Sequence, residues 1–297
     1  MADYSNSYEI VYGESPESCT IRFRCFDTPN SVTVFGCASP DARVESLLVA
    51  IRNRCLHFHR CWSFSLAESD VSRINGSSVS VRVDDCTARL VRAMKDFHCE
   101  EPAFDFTVGT ASYLWKHAKA VPDDGRVSEA LSHVGAEKVR VEGTTVVKDD
   151  PLVQIDVGGA AKGFATDYIA EMLRMEGVRC ASVDLGGNLY MLGSHPSGRP
   201  WRVSVRVPDG RDPVLEVVDR SVVTSGTYER SVEIDGVSYN HVIDARTGWP
   251  SSNGVLSATV VHESSLQADM LATVALIEDP DRLSARHPSA SFTIIPA

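Results

Sequence analysis

Apolar residues along this chain switch between a period of two and a period near 3.6, and the elements they predict do not alternate regularly. Tyr8, Ile10 and Tyr12, then Ile21 and Phe23, alternate weakly and predict an edge strand or hairpin arm, and Ser31 to Phe35 alternates as well. Asp41 is placed to cap a helix with Val44, Leu47, Leu48, Ile51 and Cys55 on its inner face. His57 and His59 near its end point apart, so a histidine metal pair is not expected there. Val79 to Val83 reads as a short strand. Asp84 or Asp85 then caps a helix carrying Leu90, Val91, Met94 and Phe97. Phe104 to Trp115 mixes a strand or turn with the start of another helix. Residues 118–150 are polar, with Pro122-Asp123-Asp124-Gly125 predicted as a turn and Val139, Val141, Val146 and Val147 as a hairpin.

In the second half, Leu152 to Ile155 reads as a strand end running into Asp156-Val157-Gly158-Gly159-Ala160-Ala161-Lys162-Gly163-Phe164-Ala165-Thr166-Asp167. Phe164, Tyr168, Ile169, Met172 and Leu173 continue this stretch as one face of a helix, with Gly177 where a left-handed C-cap is expected. Cys180 to Leu185 is a strand ending at Gly186-Gly187-Asn188, and Trp201, Val203, Val205 and Val207 alternate cleanly. Val214–Val218, Ser221–Thr224, Val237–Ile243 and Val255–Val261 supply further strands. Leu266, Met270, Thr273, Val274 and Ile277 repeat at helical spacing, and Phe292–Ile295 is a last strand. Interspersed strands and helices of this kind predict an α+β fold with mixed or antiparallel sheets packed against helices. No repeat or low-complexity linker marks a boundary, so residues 1–297 are expected to form one continuous domain, the alternative being two lobes about a central cleft.

Composition narrows the partners. The 297 residues are 43% hydrophobic and 23% charged, ordinary for a globular protein, with a net charge of −11. That balance argues against nucleic acid or an anionic membrane surface, because phosphate-backbone affinity needs a basic face. No run of 18 apolar residues predicts a membrane span. Met1 to Glu9 lacks the basic and apolar regions of a secretory signal, so a cytoplasmic location is the expectation. The eight cysteines are spread singly with no C-x-x-C, which predicts reduced buried thiols over disulfides or a zinc site.

Four stretches could carry chemistry. At 156–167 two glycines and Lys162 lie where a strand turns into a helix, where unpaired N–H groups and the helix dipole favour an anion. A bound phosphate and a plain tight turn with a surface lysine are equally compatible with that stretch alone. Asp269 and Thr273, at i, i+4, put a carboxylate and a hydroxyl on one helix face, hard oxygens of the kind that suit Mg²⁺. Taken singly, that pair is more readily a cap and a packed threonine. His241-Val242-Ile243-Asp244-Ala245-Arg246-Thr247-Gly248-Trp249-Pro250 leads a strand into a polar turn; His241 is an acid or base, or a structural histidine, and Asp244 with Arg246 a pair holding the turn. Thr224-Ser225-Gly226-Thr227-Tyr228-Glu229-Arg230 is a hydroxyl-rich turn without the strand–elbow–helix context of a hydrolase serine.

Together these segments resemble the ApbE family of FAD:protein FMN transferases, most closely over 156–275. Asp156…Lys162-Gly163, Gly186-Gly187-Asn188, Thr224-Ser225-Gly226…Tyr228-Glu229, His241-Val242-Ile243-Asp244…Arg246-Thr247-Gly248 and Ala268-Asp269…Thr273 stand in the family's order. Phe104-Asp105-Phe106-Thr107-Val108-Gly109 is similar to the family's F-D-x-T-V-G stretch. The segment from Trp62 through Ser69-Asp70-Val71-Ser72-Arg73-Ile74-Asn75 is similar to one ending in S-E-L-S-R-x-N.

The resemblance implies a T-fold-like architecture and an Mg²⁺-dependent transfer of FMN from FAD to a threonine or serine hydroxyl of an acceptor flavoprotein, with release of AMP. It implies metal ligation by Asp269, Thr273 and the Gly159 carbonyl. It implies FAD contacts from Phe26, Thr28, Ala103, Phe104, Asp105, Asp156, Gly158, Lys162, Ser225, Gly226, His241 and Ile243. Asp156, Lys162 and His241 are the implied catalytic groups, with either Asp156 or His241 taking the hydroxyl proton. An FAD pyrophosphatase giving FMN and AMP, or a flavin binder without activity, are the competing readings. The chain departs from the family pattern at Phe26-Asp27-Thr28, where Met-Gly-Thr is usual, at Ser65, where a tyrosine is common, and at Thr110, where a proline is expected. Many bacterial members are exported or lipid-anchored; the lack of a recognisable signal implies a cytosolic acceptor.

Overall fold

Strand register organises the molecule. In chain order the strands are β1 (Tyr8–Glu14), β2 (Glu17–Cys25), β3 (Thr28–Phe35), β4 (Ser80–Arg82), β5 (Val139–Glu142), β6 (Thr145–Lys148), β7 (Ala181–Leu185), β8 (Asn188–Leu192), β9 (Trp201–Ser204), β10 (Val214–Val217), β11 (Arg220–Gly226), β12 (Ser231–Ile234), β13 (Val237–Asn240), β14 (Val255–His262) and β15 (Ser291–Pro296). The main sheet has the order β1-β2-β3-β7-β8-β11-β14-β15. Every ladder in it is antiparallel. Smaller sheets pair β4-β6-β5, β9 with β10 and β12 with β13. The helices are α1 (Ala42–Trp62), α2 (Asp70–Gly76), α3 (Asp85–Glu100), α4 (Gly109–Lys116), α5 (Asp124–Ser132), α6 (Ala161–Met175), α7 (Ser265–Ala275) and α8 (Pro280–Arg286).

This computed structural model describes residues 7–14, 16–207, 210, 212–228 and 231–297. The part of the N-terminal stretch at Met1–Asn6, and Glu229 and Arg230 of the hydroxyl-rich turn, lie outside the described residues. The α+β class expected from the periodicity is the class observed. No described helix is long and apolar enough to cross a membrane.

The core forms where α6 covers the main sheet. Ala165, Ile169 and Leu173, one turn apart on α6, are fully buried, as are Ala181, Val183 and Leu185, which alternate along β7. Phe164 and Tyr168, expected on that inner face, are only half-buried and turn toward α1. There Phe58 stacks on Trp62 at 4.7 Å and meets Phe164 and Tyr168 edge-on. The α6 C-terminus closes as a Schellman motif: Gly177, at φ 76°, donates its N–H to Arg174 O, and Val178 donates to Leu173 O.

Several expectations need correction. Leu152 to Ile155 is not a strand. Its backbone bonds go elsewhere: Asn75 both accepts from and donates to Ile155, and Gly109 donates to Gln154 O. Pro122-Asp123-Asp124-Gly125 is not an isolated turn but the start of α5, because the Asp123 carboxylate accepts the Arg126 N–H as an N-cap and Val127 and Ala130 pack inward. The strand after Val237 stops at Asn240, whose Oδ1 takes the Val242 N–H and whose amide donates to Ser251 O. His241 therefore stands in a turn, not in a strand.

Candidate active site

The stretch 156–163 and the helix face 269–273 meet. At Gly159 an added Cβ would lie 2.9 Å from Thr273 Oγ1 and 3.2 Å from Phe104 Cε2, so only glycine lets the chain pass this close. At Gly163, in the first turn of α6, a Cβ would lie 2.6 Å from Ser265 O and 2.8 Å from Asp269 Cβ. The absent side chain lets α6 dock against α7 backbone to backbone, and the Gly163 N–H then donates to Asp269 Oδ2 at 2.8 Å.

Asp269 is buried. Burial pushes its carboxyl above the usual range, opposed by the Lys162 charge, the Gly163 N–H and the Asn188 amide beside it. A buried carboxylate needs a charge or a hydrogen-bond donor beside it, and here Lys162 and the Gly163 N–H supply them. Thr273 Oγ1 donates to Asp269 O, 3.2 Å away, which leaves its lone pairs facing the Gly159 turn. Carboxylate and hydroxyl are hard oxygen donors, of the kind that suit Mg²⁺. Asp156 Oδ1 accepts the Gly158 N–H at 2.8 Å, and the Asp156 N–H donates to Phe106 O, so the corner before α6 is tied down at both sides.

Sheet register brings further groups to the same end. Lys162 Nζ donates to Gly186 O at 3.2 Å, in the turn between β7 and β8. Thr28 packs against Gly186, which puts the β2–β3 hairpin tip, Phe26-Asp27, beside that turn. β8 begins at Asn188, opposite Val223, so Thr224, Ser225 and Gly226 run on past the Gly186-Gly187 turn. Phe26 meets the His59 ring edge-on at 6.1 Å.

Other residues singled out from the sequence sit further inside. Ala103 and Phe104 are buried, with Phe104 edge-on to Phe97 at 5.3 Å. Asp105 Oδ1 accepts from both the N–H and the hydroxyl of Thr107, at 2.8 and 2.6 Å. The Ile243 side chain packs with Ala111, Trp115 and Ala130 in a separate apolar cluster. His241 is exposed at the start of a loop that is tied to α7 through Ser251 to Leu276 O and Asn253 to Ala275 O. Asp244 and Arg246 pair in that loop through two parallel bonds of 2.9 and 2.8 Å, and those bonds hold the Asp244 carboxyl below its ordinary range despite burial.

Sequence reasoning missed the framework behind Asp269. Asp167, on α6, accepts the Ser265 and Leu266 N–H groups at 2.6 and 3.0 Å and the Ser264 hydroxyl at 2.7 Å. It thereby caps α7 from a neighbouring helix. Asn188 is fully buried and accepts from the Ser265 hydroxyl. Both residues stand inside stretches already noted, but nothing in their spacing shows that they meet at residue 265.

Fold and site define an α+β protein in which a glycine corner at a helix N-terminus faces a carboxylate and a hydroxyl on the next helix. The ApbE family pattern matches residues 26–290, and the chain belongs to that family. It is 34% identical over 227 residues to the FAD:protein FMN transferase of Vibrio cholerae, covering 72% of this chain and 68% of that protein. It is 33% identical over 265 residues to the Rhodobacter capsulatus protein of the same name, spanning 83% of this chain and half of that longer protein. The solved flavin transferase ApbE from Vibrio cholerae superposes with a TM-score of 0.82 at 28% identity over 94% of each chain.

Proposed function

We propose that this protein is a Mg²⁺-dependent FAD:protein FMN transferase that moves the FMN half of FAD onto a threonine or serine hydroxyl of an acceptor protein. The observation that carries the reading is the contact of the Gly158-Gly159 corner with Thr273 and, through Gly163, with Asp269. In the proposed step the acceptor oxygen bonds to the FMN-side phosphorus, the bond from that phosphorus to the bridging oxygen breaks, and AMP leaves with the bridging oxygen. The hydroxyl proton passes to Asp156 or His241.

Asp269, Thr273 and the Gly159 carbonyl are the residues that would hold the metal. When bound, Mg²⁺ supplies Lewis-acid stabilisation of the diphosphate and its leaving group. Lys162 places a positive charge at the α6 N-terminus, where helix N–H groups already favour an anion. Thr28 packs on the Gly186 turn that Lys162 reaches and Phe104 lies against Gly159; Phe26, Ser225, Gly226, Ala103 and Asp105 would complete the nucleotide's surroundings. Ile243 would contribute backbone only, since its side chain is packed away. The chain's share of the catalysis is therefore alignment and electrostatics.

The reading is tested by incubating the protein with FAD and Mg²⁺, with and without an acceptor carrying a Thr/Ser flavinylation sequence. Expected is AMP release coupled to a covalent yellow adduct. AMP release at the same rate without acceptor would make the protein a pyrophosphatase, and nucleotide binding without AMP a flavin binder.

A further inference from the structure

A second set of potential ligands lies beside the aromatic cluster, where the His57 ring meets Phe58, and the proposed flavin transfer does not use it. His57 and Cys61 are one turn apart on α1 and share a face. Asp84 is the N-cap of α3, and Cys86 follows in its first turn. His57 Nε2 lies 3.1 Å from Asp84 Oδ2, 3.8 Å from Cys61 Sγ and 4.0 Å from Cys86 Sγ. All four donor atoms fall within 4.8 Å of one another. Zinc holds thiolate sulfur at about 2.3 Å and imidazole or carboxylate at about 2.0–2.2 Å, so the edges of its tetrahedron run roughly 3.3–3.8 Å. The donors need to shift by only a few tenths of an ångström to about one ångström to close on such an ion.

We propose that His57, Cys61, Asp84 and Cys86 form a tetrahedral site for a zinc-class cation that clips the last turn of α1 to the first turn of α3.

Two borderline-soft thiolates with one imidazole and one carboxylate select zinc over magnesium, which takes oxygen and keeps its water. The carboxylate is already oriented: Asp84 Oδ1 accepts the Cys86 N–H at 2.9 Å, which leaves Oδ2 toward His57. The Asp84 N–H is held in turn by Asp70 Oδ2 at 2.9 Å, and the same oxygen accepts the Thr87 hydroxyl at 2.7 Å. Cys61 and Cys86 are buried, whereas the His57 and Asp84 side chains are 32% and 37% exposed, which gives an ion a way in. Binding of a cation by the two thiols would release protons. The clip would steady Trp62, whose Nε1 donates to Thr87 Oγ1 at 3.1 Å and whose ring meets Phe164 of α6 edge-on.

The test is Co²⁺ and Zn²⁺ titration of the chelator-stripped full chain. Expected are the thiolate-to-cobalt charge-transfer bands and strong d–d bands of tetrahedral cobalt, at one ion per chain. Zn²⁺ should displace that ion and excess Mg²⁺ should not. Cys61→Ser and Cys86→Ser should each weaken the charge-transfer bands. His57→Gln keeps both thiols, so it should retain the bands at weakened affinity; it keeps the test decisive if a serine variant fails to fold. Only the weak bands of octahedral cobalt, cobalt binding unchanged in both serine variants, or a Cys61–Cys86 disulfide in protein purified under reductant would overturn the proposal.

Discussion

The two donor clusters of this fold are built on opposite principles. The cluster at Gly159, Asp269 and Thr273 offers only oxygen, sits where the α6 N-terminus meets the side of α7, and depends on glycines that let backbones touch. The cluster at His57, Cys61, Asp84 and Cys86 mixes sulfur, nitrogen and oxygen, and depends on side chains that reach between helices. Hard donors near a dipole end suit a cation that shares its shell with phosphate; soft donors buried beside an aromatic stack suit a cation that stays. On the two proposals, a working ion and a structural ion would therefore not compete for one site.

The largest effect expected from breaking this contrast is at Asp269. Asp269→Ala removes the carboxylate from the oxygen cluster, and FMN transfer should fall roughly 10³-fold or more, about 4 kcal/mol of lost stabilisation. Stability should change by no more than about 2 kcal/mol, since the loss of the Gly163 bond is offset by no longer burying a charge. Adduct formation and a urea titration check the two halves separately. Near-normal transfer would show that the oxygen cluster is not where the metal acts.

Next come the glycines, where the two clusters differ most. Gly159→Ala drives a methyl into Thr273 and Phe104 and should cost about 10²-fold in transfer with little change in melting temperature. Gly163→Ala meets Ser265 O and the Leu266 Cα, which cannot swing away, and should destabilise the fold by about 1–3 kcal/mol as well. Normal transfer and stability in both variants would mean that the corner tolerates a side chain and the close approach is incidental. A metal exchange experiment separates the clusters by ion: after chelation, Mg²⁺ alone should restore transfer, and Zn²⁺ alone should raise the melting temperature by a few degrees.

What could be read from the sequence follows from how local each signal is. Asp41 and Gly177 are contained within one turn of the element they define and act as expected, and the Leu266–Ile277 spacing finds α7, which ends at Ala275, two residues short of Ile277. The meeting of 156–163 with 269–273 rested on the family resemblance instead: Asp269 and Thr273 are one helical turn apart, but taken singly that pair reads more readily as a cap and a packed threonine. The support behind Asp269 was not legible, because Asp167 and Asn188 meet Ser265 only after β8, α6 and α7 have packed. α5 was hidden because its N-cap aspartate sits in a Pro-Asp-Asp-Gly string that reads equally well as a turn. The sulfur cluster was invisible for the strongest version of that reason. His57 and His59 do point apart, but His57 finds its partners at Cys61 and across the gap at Asp84 and Cys86, so counting C-x-x-C spacings could not find it.

The smallest effect expected lies at the hairpin tip beside the Gly186 turn that Lys162 reaches. Phe26 and Asp27 both hold positive φ, 53° and 60°, in the two-residue loop that joins Cys25 to Thr28. That geometry normally takes glycine or asparagine, because a Cβ crowds the following carbonyl. The site edge therefore carries backbone strain that the buried sulfur cluster does not share, and strain of this kind persists where surrounding contacts fix it. Asp27→Gly should relieve it and stabilise the protein by about 1 kcal/mol, read as a higher urea midpoint at an unchanged slope. If the strain also sets the pose of Phe26 against the nucleotide, the same variant should raise KM for FAD while kcat holds. A midpoint that falls instead would mean that the Asp27 carboxylate, whose charge opposes the lowering of the His59 pKa by burial, contributes more to the folded state than its backbone costs.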